Sequence, residues 1–98
     1  MDTAEARNIA RAYLDRYRRK PYDELRQLIG SSPTDEVTGA RGTKYQVELG
    51  FFWDDPGKPN DVIRVRVAVD DGGVRVFMPL CEDFLIAPNG SFIDDDAA

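Results

Sequence analysis

Residues 43–70 read TKYQVELGFFWDDPGKPNDVIRVRVAVD. On both sides of the loop 54–60, apolar and polar side chains alternate along this stretch. Alternation with a period of two is typical of a β-strand that buries one face. The sequence therefore predicts two long half-buried strands. Their inward side chains are expected to be Tyr45, Val47, Leu49, Phe51, Trp53, Ile63, Val65, Val67 and Val69.

A turn signal follows the second strand. Asp71 and Gly72 form the dipeptide that favours a two-residue type I′ hairpin. This turn predicts a third strand over residues 74–78, which completes a meander. The register that it sets pairs Val69 with Val74, Val67 with Val76, Val65 with Met78 and Arg66 with Phe77.

The carboxy-terminal part predicts a smaller hairpin. Apolar residues at 84–87 and 91–93 flank Pro88, Asn89 and Gly90. Proline and asparagine suit the centre of a type I turn, and glycine suits the left-handed position after it. The acidic residues 94–98 have no apolar side chain large enough to anchor them, so they are expected to form a disordered tail.

The amino-terminal third predicts two helices. Side chains at spacings of three and four place one apolar stripe on a helix over about residues 3–19. Asp2 is expected to cap this helix, with Glu5 three residues later as in a capping box. Pro21 then begins a shorter helix over 21–29, which Gly30 ends. Residues 36–38 could add a short edge strand.

These elements define the expected architecture. The fold class is α+β, with the two N-terminal helices packed on one face of an antiparallel β-meander and a small C-terminal hairpin. A chain of 98 residues is expected to form a single domain. The predicted organisation is a domain over 1–93 followed by the acidic tail 94–98.

Composition excludes several kinds of chemistry. The chain has no histidine and one cysteine, with 13 basic and 18 acidic side chains and a net charge of −5. Catalysis by a histidine base, histidine ligation of a metal and an intrachain disulfide are therefore excluded. No cofactor or metal is expected, because the paired carboxylates lack the spacing of a calcium loop. The lone Cys81 and the absence of a targeting or membrane-spanning segment favour a cytoplasmic location.

The sequence resembles a small bacterial α+β family of uncharacterised proteins. The resemblance covers about residues 43–93. It rests on Tyr45-Gln46-Val47-Glu48, Trp53-Asp54, Ile63-Arg64-Val65, Asp70-Asp71-Gly72-Gly73 and Pro88-Asn89-Gly90-Ser91-Phe92-Ile93. These are turn and core residues, so the resemblance implies a fold and no activity, cofactor or partner.

The outward face of the sheet holds the candidate binding residues. If Trp53 pairs with Ile63, then Phe52 lies opposite Arg64. Aromatic rings beside arginines are enriched at binding hot spots. The predicted partner-binding residues are Phe52, Arg64, Arg66, Arg75 and Phe77 on this face, together with Trp53 at the rim of the loop that follows the predicted strand over 43–53. Two alternatives are that the C-terminal hairpin covers part of this face, or that the arginine stems cover the rings.

The expected function is that of a noncatalytic protein-protein interaction module, of an adaptor or immunity-like kind. It would bind an unknown protein partner, or a second copy of itself, through this face or through the rim of the loop 53–60.

Two alternatives remain open. One is a small-ligand or hydrolase-like pocket between the helices and the sheet, with Glu48 or Asp54 as its polar group and with walls formed by Tyr13, Tyr17, Tyr45 and Trp53. The other is nucleic-acid binding through the basic residues 16–20. The acidic net charge makes nucleic acid an unfavourable partner.

Overall fold

The computed structural model describes residues 2–72 and 79–93. Two N-terminal helices, α1 (Thr3–Arg18) and α2 (Tyr22–Arg26), precede five strands. The strands are β1 (Thr34–Thr38), β2 (Lys44–Trp53), β3 (Ile63–Asp70), β4 (Leu80–Ile86) and β5 (Phe92–Ile93). They form one antiparallel sheet in the order β1-β2-β3-β4-β5. The predicted α+β class, with helices packed on a meander, is confirmed.

Helix α1 begins and packs as its sequence predicts. The Asp2 carboxylate accepts a hydrogen bond from the backbone N–H of Glu5 at 3.1 Å. Ala6 and Ala10 are fully buried, and their small side chains let the helix lie close against β3 and β4. In the described part of the chain, neither helix has the length and apolar character needed to cross a membrane.

The second helix is shorter than predicted. The expected helix over 21–29 is confirmed only for its first part, because α2 ends at Arg26. The chain continues through single turns to Gly30, which has a positive φ of 87°. The backbone N–H of Gly30 donates to the carbonyl of Phe51 at 3.0 Å. This bond ties the end of the helical region to β2.

The pairing of β2 with β3 confirms the predicted core. Trp53 pairs with Ile63 and Phe51 with Val65, and the register continues to Val47 opposite Val69. All the predicted inward side chains of these two strands are buried except Trp53, which is half-buried against the core.

The predicted hairpin register after β3 is wrong. β3 pairs with β4, so that Val65 lies opposite Phe84, Arg66 opposite Asp83 and Val69 opposite Leu80. The Asp70 carboxylate accepts from the backbone N–H of Gly72 at 2.8 Å, which makes a local Asx turn. Residues 74–78, with the predicted third strand and the candidates Arg75 and Phe77, lie outside the described residues, as does the predicted tail 94–98.

The reason for the β4 register is burial. Residues 80–86 bring Phe84 and Ile86 opposite Val65 and Ile63, and both of these β4 side chains are buried. Two large apolar side chains therefore complete the core across β3. Burial of each contributes about 1.5 to 3 kcal/mol.

The two ends of the sheet are short strands. The predicted edge strand at 36–38 is confirmed as β1, which begins earlier, at Thr34. The predicted C-terminal hairpin is also confirmed, with Ile86 opposite Phe92. Its turn contains Gly90, which has a positive φ of 87°. β5 continues the sheet beside β4.

The carboxylate of Glu5 joins α1 to the turn between β1 and β2. It accepts from the backbone N–H of Ala40 at 2.9 Å and from the hydroxyl of Tyr45 at 2.7 Å. These hydrogen bonds lower the pKa of Glu5. Gly39 lies directly beneath this carboxylate. A Cβ atom there would overlap the Glu5 carboxylate and lie 2.8 Å from the Tyr45 ring.

We therefore expect Gly39→Ala to destabilise the fold by about 1 to 3 kcal/mol through overpacking. Chemical denaturation followed by circular dichroism measures the change. Gly57→Ala is the matched control, because the nearest atom to its added Cβ is a carboxylate oxygen at 3.3 Å in an exposed loop. That control should change stability by less than about 0.5 kcal/mol. Equal midpoints for the two variants would contradict the close packing at Gly39.

Candidate interaction surface

The sheet has one face beneath the helices and an opposite face that no helix of the described residues covers. The pairing registers place Phe52, Arg64, Leu85 and Ile93 in one row across β2, β3, β4 and β5. In the adjacent row, Gly50, Arg66 and Asp83 lie side by side. We call the side chains of Phe52, Arg64, Arg66, Asp83, Leu85 and Ile93 the Phe52 face.

Phe52 is an exposed aromatic side chain within this face. Its side chain is 37% exposed. The ring leans over Gly50, where an added Cβ would lie 3.5 Å from the nearest ring carbon. The guanidinium carbon of Arg66 lies 5.2 Å from the ring centroid, within the range of a cation–π contact. The ring therefore covers the glycine beneath it and presents its remaining surface outward.

Arg64 is held by two carboxylates. Its Nη1 donates to Asp83 at 2.6 Å, and its Nη2 donates to Asp54 at 2.8 Å. The hydrogen bonds that Arg64 donates to Asp54 raise the pKa of Arg64, and the one that it donates to Asp83 acts in the same direction. Asp54 directly follows β2, and Asp83 lies within β4. The guanidinium consequently links the strands on either side of β3.

Arg66 is held more loosely than Arg64. Its Nη2 lies 4.0 Å from the Asp83 carboxylate, and its side chain is 47% exposed. The side chain of Arg64 is only 20% exposed. Arg66 is therefore the more accessible cation of the two, whereas Arg64 organises the polar groups around it.

The C-terminal hairpin does not fold over the Phe52 face. This alternative is wrong because β5 lies in the plane of the sheet beside β4. Phe92 turns to the helix side, where its ring meets that of Phe84 at a centroid distance of 5.6 Å. Leu85 is buried at the base of the Phe52 face, whereas Ile93 stays exposed. The other alternative is that the arginine stems cover the rings, and the contact present is that of the Arg66 guanidinium with the Phe52 ring.

Trp53 is not part of the Phe52 face. Because side chains alternate along β2, Trp53 points to the helix side and packs half-buried against the core. Phe52 and the two arginines Arg64 and Arg66 are brought together, and Trp53 is separated from them. Arg75 and Phe77 lie outside the described residues.

The residues of the predicted ligand pocket do not converge. The hydroxyl of buried Tyr13 donates to Asp35, and that of buried Tyr45 donates to Glu5. Glu48 belongs to the sheet face opposite the helices, since it alternates with the buried residues of β2. Asp54 is hydrogen-bonded to Arg64. Tyr13 and Tyr45 therefore act as core residues whose hydroxyls donate to carboxylates.

The basic residues at the end of α1 contact groups of the chain itself. Arg16 lies over the ring of Tyr13 at 4.8 Å. Arg18 donates to Asp15 at 3.0 Å. Lys20 lies 3.5 Å from the carboxylate of Glu24. Tyr17, the aromatic residue of this run, packs inward, with its ring centroid 5.2 Å from that of Phe51. The exposed ring that base stacking requires is therefore not supplied by this tyrosine.

Sequence reasoning missed three residues of the Phe52 face, namely Asp83, Leu85 and Ile93, and assigned Asp54 to a ligand pocket or to the loop rim. The two aspartates belong to acidic pairs that resemble solvated turns. Alternation in the segment LCEDFLI, residues 80–86, would have placed Asp83 and Leu85 outward. Within residues 2–72 and 79–93, no group of three or more acidic or cysteine side chains could hold a metal ion.

Comparisons of the chain with protein-family models, with curated proteins and with solved structures give no match. The resemblance to a small α+β family stays a prediction. Function is therefore argued from the geometry of the sheet alone.

The buried tyrosines yield a prediction for alkaline pH. Burial, with the hydrogen bond to Asp35, raises the pKa of Tyr13 to about 12. The hydrogen bond to Glu5, with burial, raises the pKa of Tyr45 to about 12. Both pKa values lie above the ordinary value of 10. The stability that these hydroxyls contribute is therefore complete below pH 10 and is lost as the pH rises through 12.

Ultraviolet absorbance of tyrosinate during a pH titration measures these midpoints. Burial also raises the pKa of Tyr22. We expect the two tyrosines that titrate last in the folded chain to be Tyr13 and Tyr45, one of which is removed by Tyr13→Phe and the other by Tyr45→Phe. The urea-unfolded chain serves as the reference. Titration of all four tyrosines at their unfolded midpoint, while the chain is still folded, would refute the assignment.

Proposed function

We propose that this chain is a noncatalytic protein-interaction module, of an adaptor or immunity-like kind, whose Phe52 face binds the surface of a protein partner. The observation that carries the proposal is the Phe52 ring. It is 37% exposed on a sheet face that no helix of the described residues covers. Aromatic side chains and arginines are the residue types enriched at the centres of protein interfaces.

The arrangement of the arginines supports this proposal. Arg64 is held in one orientation by Asp54 and Asp83, so it loses little conformational freedom on binding. Arg66 is more exposed and lies against the Phe52 ring, where it could donate to a partner's carboxylate or carbonyl. Arg64, which is held in place, and Arg66, which is more exposed, together form a polar rim beside the Phe52 ring, as is typical of protein interfaces.

The shape of the surface favours a protein partner over a small ligand. The row from Phe52 to Ile93 crosses four strands, which corresponds to about 14 Å at the usual spacing between strands. Small-molecule sites are typically concave and enclosed. A row of aromatic, aliphatic and guanidinium groups along the sheet surface is instead suited to another protein surface. A cytoplasmic site of action is part of the proposal, and the exposed thiol of Cys81 agrees with a reducing compartment.

The test compares two substitutions of exposed phenylalanines. Phe52→Asp places a charge at the proposed anchor, and Phe92→Asp places the same charge on an exposed phenylalanine of the opposite face. We expect wild-type and Phe92→Asp chains to capture the same partner from a cell extract, and Phe52→Asp to lose it. Binding of the purified partner should weaken by at least about 2 kcal/mol, the scale of a hot spot.

Two further measurements complete this test. Circular dichroism establishes that both variants stay folded. Light scattering of wild-type chain after gel filtration determines whether the partner is a second copy, in which case Phe52→Asp should be monomeric. Equal binding by the two variants would refute the proposed use of the Phe52 face.

A further inference from the structure

The two edges of the sheet are not equivalent. At the β1 edge, the Leu49 N–H donates to the Pro33 carbonyl and the Gly39 N–H donates to the Thr43 carbonyl. The main-chain N–H and C=O groups of odd-numbered β1 residues therefore point toward β2. The main-chain groups of Glu36 therefore point away from the sheet. The Asp35 carboxylate accepts from the Glu36 N–H at 2.8 Å and also accepts from the Tyr13 hydroxyl. The central donor of this edge is thus already occupied, which disfavours pairing with another strand.

Among the described residues, only β5 pairs with the β4 edge, and it covers part of it. β5 has two residues and pairs with Leu85 and Ile86. The Ala87 N–H donates to the Ser91 carbonyl at 2.8 Å, so the main-chain N–H and C=O groups of odd-numbered residues along β4 point toward β5. By the same alternation, the main-chain groups of Cys81 and Asp83 point to that side. In the parts of the chain that the structure describes, no strand continues β5 alongside them.

A row of arginines on α1 overlies this open stretch. Arg7, Arg11 and Arg18 fall within about 40° of one another on the helix at 100° per residue. Their side chains are exposed. Arg7 and Arg11 lie 3.8 Å and 3.4 Å from the same oxygen of Glu82 in β4. Arg18 lies over the ring of Phe84 at 5.1 Å.

Between the helix and the strand runs a cleft of about 290 Å³, lined by Arg11, Leu14, Asp15, Arg18, Glu82 and Asp83. Exposed ion pairs at the distances found for Glu82 contribute little to stability. Arg7 and Arg11 can therefore exchange Glu82 for another carboxylate without disturbing the core.

We propose that the open edge of β4, beneath the arginine row of α1, binds an extended acidic segment of a partner protein. The segment would add to the sheet as a strand, with main-chain hydrogen bonds to Cys81 and Asp83. Strand addition of this kind uses main-chain bonds for affinity and side-chain contacts for specificity. This surface shares only Asp83 with the Phe52 face and lies along a different edge of the sheet, so the inference goes beyond the function proposed above.

The spacing of Arg7 and Arg11 along α1 matches the spacing of side chains on one side of an extended strand. Residues 7 and 11 are one helical turn apart, which is about 6 Å along the axis. Alternate side chains of an extended strand are about 6.8 Å apart and point to the same side. Two carboxylates at alternate positions of the bound segment can therefore face Arg7 and Arg11 together. A basic segment would place like charges against Arg7 and Arg11.

Fluorescence anisotropy with synthetic peptides tests the proposal on the full chain. The probe is a labelled eight-residue peptide of alternating Glu and Thr, and the comparison peptide has Lys in place of each Glu. We expect the acidic peptide to bind, with affinity falling as salt is raised, and the basic peptide not to bind. An acidic peptide with alternate backbone nitrogens methylated cannot add to a strand and should bind at least about tenfold more weakly.

Protein variants locate the site. Arg7→Gln with Arg11→Gln should weaken binding of the acidic peptide at least about tenfold. The control double variant, Arg26→Gln with Arg41→Gln, removes the same charge on α2 and in the β1–β2 turn and should bind as wild type does. Phe52→Asp should also bind the peptide normally, which separates a failure here from a failure of the Phe52 face.

Three outcomes would overturn the proposal. Equal weakening by both double variants would mean that overall charge, and not this row, attracts the peptide. Full affinity of the methylated peptide would exclude strand addition. In the third outcome, the acidic peptide binds only a chain with Asp94→Ser, Asp95→Ser and Asp96→Ser and not the wild-type chain. That result would assign the cleft to the chain's own carboxy-terminal aspartates instead of a partner.

Discussion

The pairing of β2 with β3 is the constraint on which both faces of the sheet depend. In this register Phe51 and Val65 turn toward α1, while Phe52 and Arg64 turn away from it. A slip by one residue would move every side chain of one strand to the other face. The burial that stabilises the core therefore also fixes the phenylalanine beside the arginines on the outside. The Phe52 face needs no separate folding determinant.

Carboxylates hold the remaining elements to this pair of strands. Glu5 connects the start of α1 to Tyr45 in β2 and to the turn at Ala40. Asp35 connects Tyr13 of α1 to the β1 edge. Both carboxyl groups have lowered pKa values because hydrogen bonds stabilise their charged forms. These two carboxylates thus act as hydrogen-bond acceptors between elements.

The features predicted correctly from the sequence are those that local chemistry decides. Alternation identifies the inward residues of β2 and β3, Asp2 caps α1, and the turn at Gly90 forms the last hairpin. The register of β4 could not be predicted in this way. Glu82 lies on the inner side of that strand, where its partly exposed carboxylate lies beside Arg7 and Arg11 of α1. The charged residue at this inward position interrupts the alternation of apolar and polar residues, so the full length of the strand was not predicted. Asp83 and Leu85 were missed for the same reason.

The two proposed binding surfaces meet at Asp83. Its carboxylate accepts from Arg64 on the Phe52 face at 2.6 Å, and its main-chain groups belong to the open edge of β4. A strand added along that edge would fix the backbone of Asp83 and, through it, the position of the carboxylate that orients Arg64. Groups that share a hydrogen-bonded residue are rarely independent energetically. Occupation of the edge therefore changes the affinity of the Phe52 face if both proposals hold, and by linkage the reverse applies with the same factor.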